Sequence, residues 1–223
     1  MDYKTLIAQA EVRGLTAQDF DLPTLPPDCR HHLSFVAKRH RKDFAACIRQ
    51  ERFAETLTLS SYPAASSVWY ADRRIRLIVW DGDLTIDGDL RDEDFSLLPL
   101  LIVRGNLTLR HWLRGGIPTF VGGSVRASGF IVGHYNDSDL YVGGDLIAAG
   151  YIPRAKPDVD LPDVAPHQVA GTIDARKFDN LDATEEALRV AFVDEVLIEE
   201  DGEVYLDEAA VFERASAGLA VWR

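Results

Sequence analysis

Residues 81–90 read "DGDLTIDGDL", with four aspartates in ten positions. Clustered carboxylates can hold a metal, form a catalytic pair or simply turn a chain. Aligning the rest of the sequence on its glycines decides between these readings. Five segments match: "IVWDGDLTIDGD", "LIVRGNLTLRHW", "TFVGGSVRASGF", "LYVGGDLIAAGY" and "HQVAGTIDARKF". Their anchor glycines are Gly82, Gly105, Gly123, Gly144 and Gly171. Two positions before each glycine stand Trp80, Val103, Val121, Val142 and Val169. One after it stand Asp83, Asn106, Ser124, Asp145 and Thr172. Two after it stand Leu84, Leu107, Val125, Leu146 and Ile173, and four after it Ile86, Leu109, Ala127, Ala148 and Ala175. An aromatic recurs seven after the glycine, at Trp112, Phe130, Tyr151 and Phe178.

Apolar residues at alternate positions line one face of a strand. A glycine followed by a small polar residue marks a bend. A unit of about 20 residues cannot bury its apolar face alone, but stacked copies make a continuous core. The expectation is a mainly β protein: a parallel β-helix, or solenoid, of about five coils over residues 75–178. An antiparallel barrel or sandwich is the alternative, since closely spaced strands fit that architecture too. In either reading Asp83 is a bend residue. Asp81, Asp87 and Asp89 remain, and with Asp92, Glu93 and Asp94 they suggest an acidic surface edge.

An open coil end exposes strand edges, so caps are expected. The predicted division is a helical N-terminal cap over 1–74, the solenoid over 75–178 and an acidic helical C-terminal cap over 179–223. Asp28 follows Pro26 and Pro27 and would N-cap a helix over 28–55. Leu33, Val36, Ala37, His40, Phe44, Cys47 and Ile48 form its apolar stripe. "SSYPAASS" breaks the chain before the repeats. Helices are also expected over 183–197 and 207–217, the second ended by Gly218, with "EEDGEV" as a turn between them.

Composition narrows the function. The 223 residues carry a net charge of -12, and residues 179–223 hold three basic residues against thirteen acidic ones. That opposes nucleic-acid binding there and suits a basic protein partner. No apolar run reaches the roughly 18–20 residues that span a bilayer. The first residues lack a signal-peptide pattern, so a cytoplasmic location is expected. Cys29 and Cys47 are the two cysteines and imply neither a disulfide framework nor a cysteine zinc site. No cofactor is expected.

The candidate sites are modest. His40 reads as a core histidine, and adjacent His31 and His32 point to different faces of a helix. The basic run at 38–42 reads as a solvated face. No G-x-S-x-G, P-loop or dinucleotide fingerprint occurs, and no cysteine pairs with a nearby histidine. Asp83 and Asp145 share a column, but Asn106 and Ser124 separate them, which opposes a glycosidase-type carboxylate pair. His111 with Trp112, and "GHYNDSDL" with His134, Tyr135 and Asp137, follow anchor strands. They are expected on neighbouring coils of one loop face, where exposed aromatics anchor protein contacts. The predicted contact set is Asp92, Glu93, Asp94, His111, Trp112, His134, Tyr135, Asp137, Glu199, Glu200 and Asp201.

The segments "LIVWDGDLTIDGDL", "LLIVRGNLTLRHW" and "HYNDSDLYVGGDLIAAGYI" resemble bacterial β-solenoid proteins with G-D-L repeats. They are similar to bactofilin-like, polymer-forming solenoids and to proteins associated with polymorphic toxin systems. The resemblance covers residues 75–223 and rests on structural repeat positions. Bactofilin-like chains carry short tails, whereas the long flanks here would cap both ends and oppose polymerisation. The expectation is a non-enzymatic immunity-type protein that neutralises a partner such as a basic toxin domain, as a monomer or small homo-oligomer. A self-associating scaffold is the alternative, and a β-helix carbohydrate-active enzyme ranks last.

Overall fold

The computed structural model describes residues 1–25, 33, 42–59, 75–92, 99–134, 139–153, 167–180 and 183–223. The chain is mainly β. Helix α1 (Tyr3–Gln9) and strand β1 (Glu11–Gly14) come first. Strands β2 (Phe44–Ile48), β3 (Arg52–Phe53) and β4 (Leu57–Thr58) make one rung. Strands β5 (Ile75–Trp80), β6 (Leu84–Ile86) and β7 (Leu90–Arg91) make the next. They are followed by β8 (Leu100–Val103), β9 (Leu107–Leu109) and β10 (Trp112–Arg114). Then come β11 (Thr119–Val121), β12 (Val125–Ala127) and β13 (Phe130–Gly133). The repeats end with β14 (Leu140–Val142), β15 (Leu146–Ile152), β16 (His167–Val169) and β17 (Ile173–Lys177).

Each strand pairs in parallel with its counterpart in the neighbouring rung. One ladder runs β2-β5-β8-β11-β14-β16. A second runs β3-β6-β9-β12-β15-β17. A third runs β4-β7-β10-β13 and joins the far half of β15. The parallel strands thus wrap into a nearly closed, barrel-like arrangement. Antiparallel pairing among the described strands is confined to β1 with β2 and a C-terminal hairpin, so the antiparallel barrel or sandwich does not hold.

The predicted columns face inward as far as the fourth position after the glycine. Leu84, Leu107, Val125 and Leu146 are all buried in one interior cluster with Trp80, Val103, Val121 and Val142. The aromatic column then slips. Trp112 pairs with Ile131 and Ile131 in turn with Tyr151, whereas Phe130 pairs with Gly150. A one-residue slip sends a side chain to the opposite face. Trp112 and Tyr151 therefore fill the interior, while Phe130 packs outside with Phe178.

The flanks differ from the expectation. Residues 44–48 are a strand, not the end of a helix over 28–55. Alternate residues of β2 feed two cores: Ile48 faces the interior, and Ala45 and Cys47 face outward under Phe20, Leu22, Leu25 and Leu33. A short strand buried on both faces reads like a helical segment in sequence. Residues 26–32 and 34–41, with Cys29, His31, His32, His40 and most of the basic run, lie outside the described residues. Leu33 is helical; a further helix, α1, precedes the predicted one, and its Tyr3 and Leu6 enter the interior cluster.

The other flank also departs from the cap reading. Helix α2 (Glu185–Ala191) is N-capped by Thr184, whose hydroxyl oxygen accepts the Ala187 N–H at 3.2 Å. It stops at Phe192, which turns extended and bridges to Trp222. Hairpin strands β18 (Leu197–Glu200) and β19 (Glu203–Leu206) follow. They are joined by Asp201 and Gly202 at φ 53° and 81°, the left-handed pair that a tight hairpin turn needs. Helix α3 (Glu208–Ser216) comes next, with Asp207 as its N-cap, and Gly218 follows in the left-handed region as predicted. This C-terminal unit lies along the sheet flank and also meets the residues of and after β17. Its Leu188, Phe192, Val196, Val211 and Phe212 pack on Leu113, Val132 and Ile152, the outer face of the third ladder. The inward position of the last rung is held by Ile173, which is 45% exposed.

Candidate functional site

The carboxylates of residues 81–90 go into structure. Asp83 Oδ1 accepts the backbone N–H of Asn106 at 2.7 Å. Asn106 Oδ1 accepts the N–H of Ser124 at 2.9 Å, and Ser124 Oγ accepts the N–H of Asp145 at 3.0 Å. Asp145 Oδ1 then accepts the N–H of Thr172 at 2.9 Å. One corner therefore carries a continuous ladder in which each small polar side chain satisfies a backbone donor of the next rung. The Thr172 N–H and hydroxyl hold the Asp145 carboxyl below its ordinary value. The anchor glycines follow from this geometry. A Cβ on Gly105 would lie 2.2 Å from Asp83 Oδ1, and one on Gly123 2.5 Å from Asn106 Oδ1.

The described members of the expected acidic edge, Asp81, Asp87, Asp89 and Asp92, are each engaged by partners. Asp81 pairs with Arg104 at 3.0 Å, and Asp87 accepts both ends of the Arg52 fork at 2.8 and 2.9 Å. Asp89 is buried and accepts the Arg110 fork at 2.8 and 2.9 Å, together with the Ser216 hydroxyl at 3.0 Å. Burial raises the Asp89 pKa, but Arg110 and Ser216 outweigh it and hold the carboxyl below the ordinary value. Asp92 is only 4% exposed, and its Oδ2 accepts the Ile117 N–H at 2.9 Å. It braces a buried loop rather than a surface. Glu93 and Asp94 lie outside the described residues.

The loop-face aromatics are corrected in the same way. Trp112 is 1% exposed, inside the core. Arg114 lies 5.3 Å from the Trp112 ring centroid and donates to the Asp139 carbonyl at 3.1 Å. Burial pushes the Arg114 pKa down to about 10, still a cation at neutral pH. His111 is buried; its Nδ1 accepts the Phe130 N–H at 3.0 Å, and its ring stacks on Phe130. Burial holds its pKa below the ordinary histidine value, with Asp89 opposing. The backbone N–H of His134 donates to the Arg114 carbonyl at 2.7 Å. His111 thus precedes β10 and His134 follows the adjacent β13, and Trp112 and His111 are packed in the protein rather than presented on a loop face. Tyr135 and Asp137 lie outside the described residues.

What stays on the surface is the acidic hairpin. Glu199, Glu200 and Asp201 are exposed. Pairing sets Ile198 opposite Tyr205 and Glu200 opposite Glu203, so these four share the outward face. Ile198 is 48% exposed, and the Tyr205 hydroxyl donates to Glu203 at 2.7 Å. The three arginines of residues 179–223 are already engaged: Arg189 with Glu185, Arg214 with Glu195, and Arg223 with Asp194. Glu200, Asp201 and Glu203 therefore add to an unneutralised field. Ile198, Glu203 and Tyr205 were missed because "EEDGEV" reads as a plain turn between two helices rather than as the tip of a hairpin. Yet "LIEEDGEVYL" carries the Asp-Gly hairpin signal. Among the described residues no group of three His, Cys, Asp or Glu side chains is placed to hold a metal ion. No family model, curated protein or solved structure matches the chain.

Proposed function

We propose that this chain is a parallel β-helix serving as a non-enzymatic protein-binding module, of the immunity type, that neutralises a basic partner such as a toxin domain in the cytoplasm. The observation that carries the reading is the acidic hairpin. Exposed Ile198 and half-buried Tyr205 share a face with Glu200 and Glu203, beside the exposed Glu199 and Asp201, on a unit whose arginines are all paired. An apolar anchor in a charged rim is the anatomy of a protein contact. The uncompensated field would speed encounter with a cationic partner. Co-expression with basic toxin domains tests it. Rescue of growth and a stable complex are expected, and the triple change Glu199→Lys, Glu200→Lys, Asp201→Lys should weaken the complex at least tenfold with unchanged melting. The absence of both rescue and complex would sink the reading.

The self-associating scaffold draws on the half-exposed Ile173 at the last rung. Because α1 fills the other end of the interior, that reading favours pairs over filaments. A single monomer peak in light scattering across concentration would remove it.

A further inference from the structure

The contact between the last rung and α3 is polar and buried. Asn180, which follows β17, is 2% exposed, and Glu208 in the first turn of α3 is 8% exposed. Asn180 Nδ2 donates to Glu208 Oε1 at 2.8 Å. The neighbouring contact of the C-terminal unit with the third ladder has an apolar centre, flanked by the Arg91–Glu213 ion pair and the Ser216–Asp89 hydrogen bond.

We propose that the Asn180–Glu208 contact is a proton-controlled latch, and that residues 183–223 form a flap which loosens from the sheet flank when Glu208 ionises. A carboxylate buried without a cation is costly, whereas a carboxyl group is not. The charges around α3 are committed elsewhere. On its own element, Asp207 adjoins Glu208 and repels an anion, Glu213 binds Arg91, and Arg214 pairs with Glu195. From the third ladder and its corner, Arg91 lies over Phe212, His111 faces the same ring edge-on, and Asp89 with Arg110 meets Ser216. From the segment before β18, Asp194 pairs with Arg223. From the last rung, Arg176 covers Trp222, and Lys177 pairs with Asp179 at 3.5 Å. The groups that oppose the burial cost are the Glu208 backbone N–H and Asn180. Burial dominates and pushes the Glu208 pKa up from 4.5 to about 7.

The sign follows from linkage. The docked state holds the proton more tightly than the open one, so docking is strongest below pH 4.5 and is lost as pH rises through about 7. With those two values the opening constant rises about tenfold between pH 6 and pH 8. Hydrogen exchange of the full chain, corrected for intrinsic rates, reads this on peptides covering α3 and residues 219–223. The expected result is the tenfold rise in those peptides, with protection of β11–β13 unchanged. Glu208→Gln should flatten the profile, while Asn180→Ala, which leaves the carboxyl in place, should keep the slope. A flat wild-type profile, a slope that survives in Glu208→Gln, or a slope lost in Asn180→Ala would overturn the latch.

Discussion

Gly105→Ala and Gly82→Ala are the same chemical change in the same sequence column, yet the structure separates them. A Cβ on Gly105 would lie 2.2 Å from Asp83 Oδ1, 2.7 Å from Asp83 N and 2.8 Å from the Gly82 carbonyl carbon. Two of those atoms are backbone, so no rotamer change relieves the overlap. A Cβ on Gly82 meets nothing nearer than the flexible Glu51 Oε1 at 3.7 Å. Overpacking of this kind costs about 1–3 kcal/mol, and more where backbone must move. For a chain of this size each kcal/mol shifts Tm by roughly 2–4 °C. Gly105→Ala should therefore lower Tm by about 2–12 °C. Gly82→Ala should be neutral or slightly stabilising, because alanine restricts the unfolded chain by about 0.4–1 kcal/mol. Adding Asp83→Gly to Gly105→Ala should recover part of the loss, since only the side-chain overlap disappears. Calorimetric melts of the four proteins decide it. Equal Tm values for the two single alanine variants would refute the view that the ladder dictates glycine.

Two titrations probe the buried polar groups. Asp89→Asn should cost about 1–2 kcal/mol at neutral pH, kept modest because Arg110 is half-exposed and screened. The depressed Asp89 pKa means this difference holds above the ordinary value of 3.8 and closes as pH falls through the folded value; denaturant melts at pH 7 and at a series of values stepping down from 3.8 check the direction. The His111 ring should titrate below 6.5 by proton NMR, because burial disfavours its charged form. Its neutral form then supports the fold at neutral pH and loses ground as pH falls through the folded value, and a midpoint at or above 6.5 would contradict the buried placement.

The repeat was legible because its signal is local. Glycine, small polar and apolar positions recur at fixed steps, and each step has one physical job. The slip at the aromatic column was not legible, because the residues between β9 and β10 and between β12 and β13 set a register that only pairing reveals. The roles of Asp89 and Asp92 were hidden for another reason. Their partners, Ser216 and Ile117, lie 127 and 25 residues away in sequence. Nothing near Asp92 announces that its carboxylate holds a buried loop, so an acidic run reads as surface. His111 and Trp112 show the same limit: adjacent polar and aromatic residues look like a contact site until the register places one ring inside and the other under Phe212.

The placement of the flanking segments was written in the strands they cover. In the first ladder, "IRLIVW", "LLIV", "TFV" and "LYV" are apolar at nearly every position, because the interior takes one face and Phe20, Leu22, Leu25 and Leu33 take the other. In the second ladder, "LTI", "LTL" and "VRA" alternate, and Thr108 and Arg126 are exposed. A continuous run therefore marks a covered flank and an alternating run a bare one. This has a direct test at two outward positions. Phe120 is buried and stacks on Tyr141 with ring centroids 5.1 Å apart, so Phe120→Ala should cost about 3–5 kcal/mol. Thr108→Arg on the bare flank should stay within about 0.5 kcal/mol of wild type. If urea melts show similar losses for both, the first-ladder flank is not covered in solution, and the apolar runs of β5, β8, β11 and β14 need a different partner.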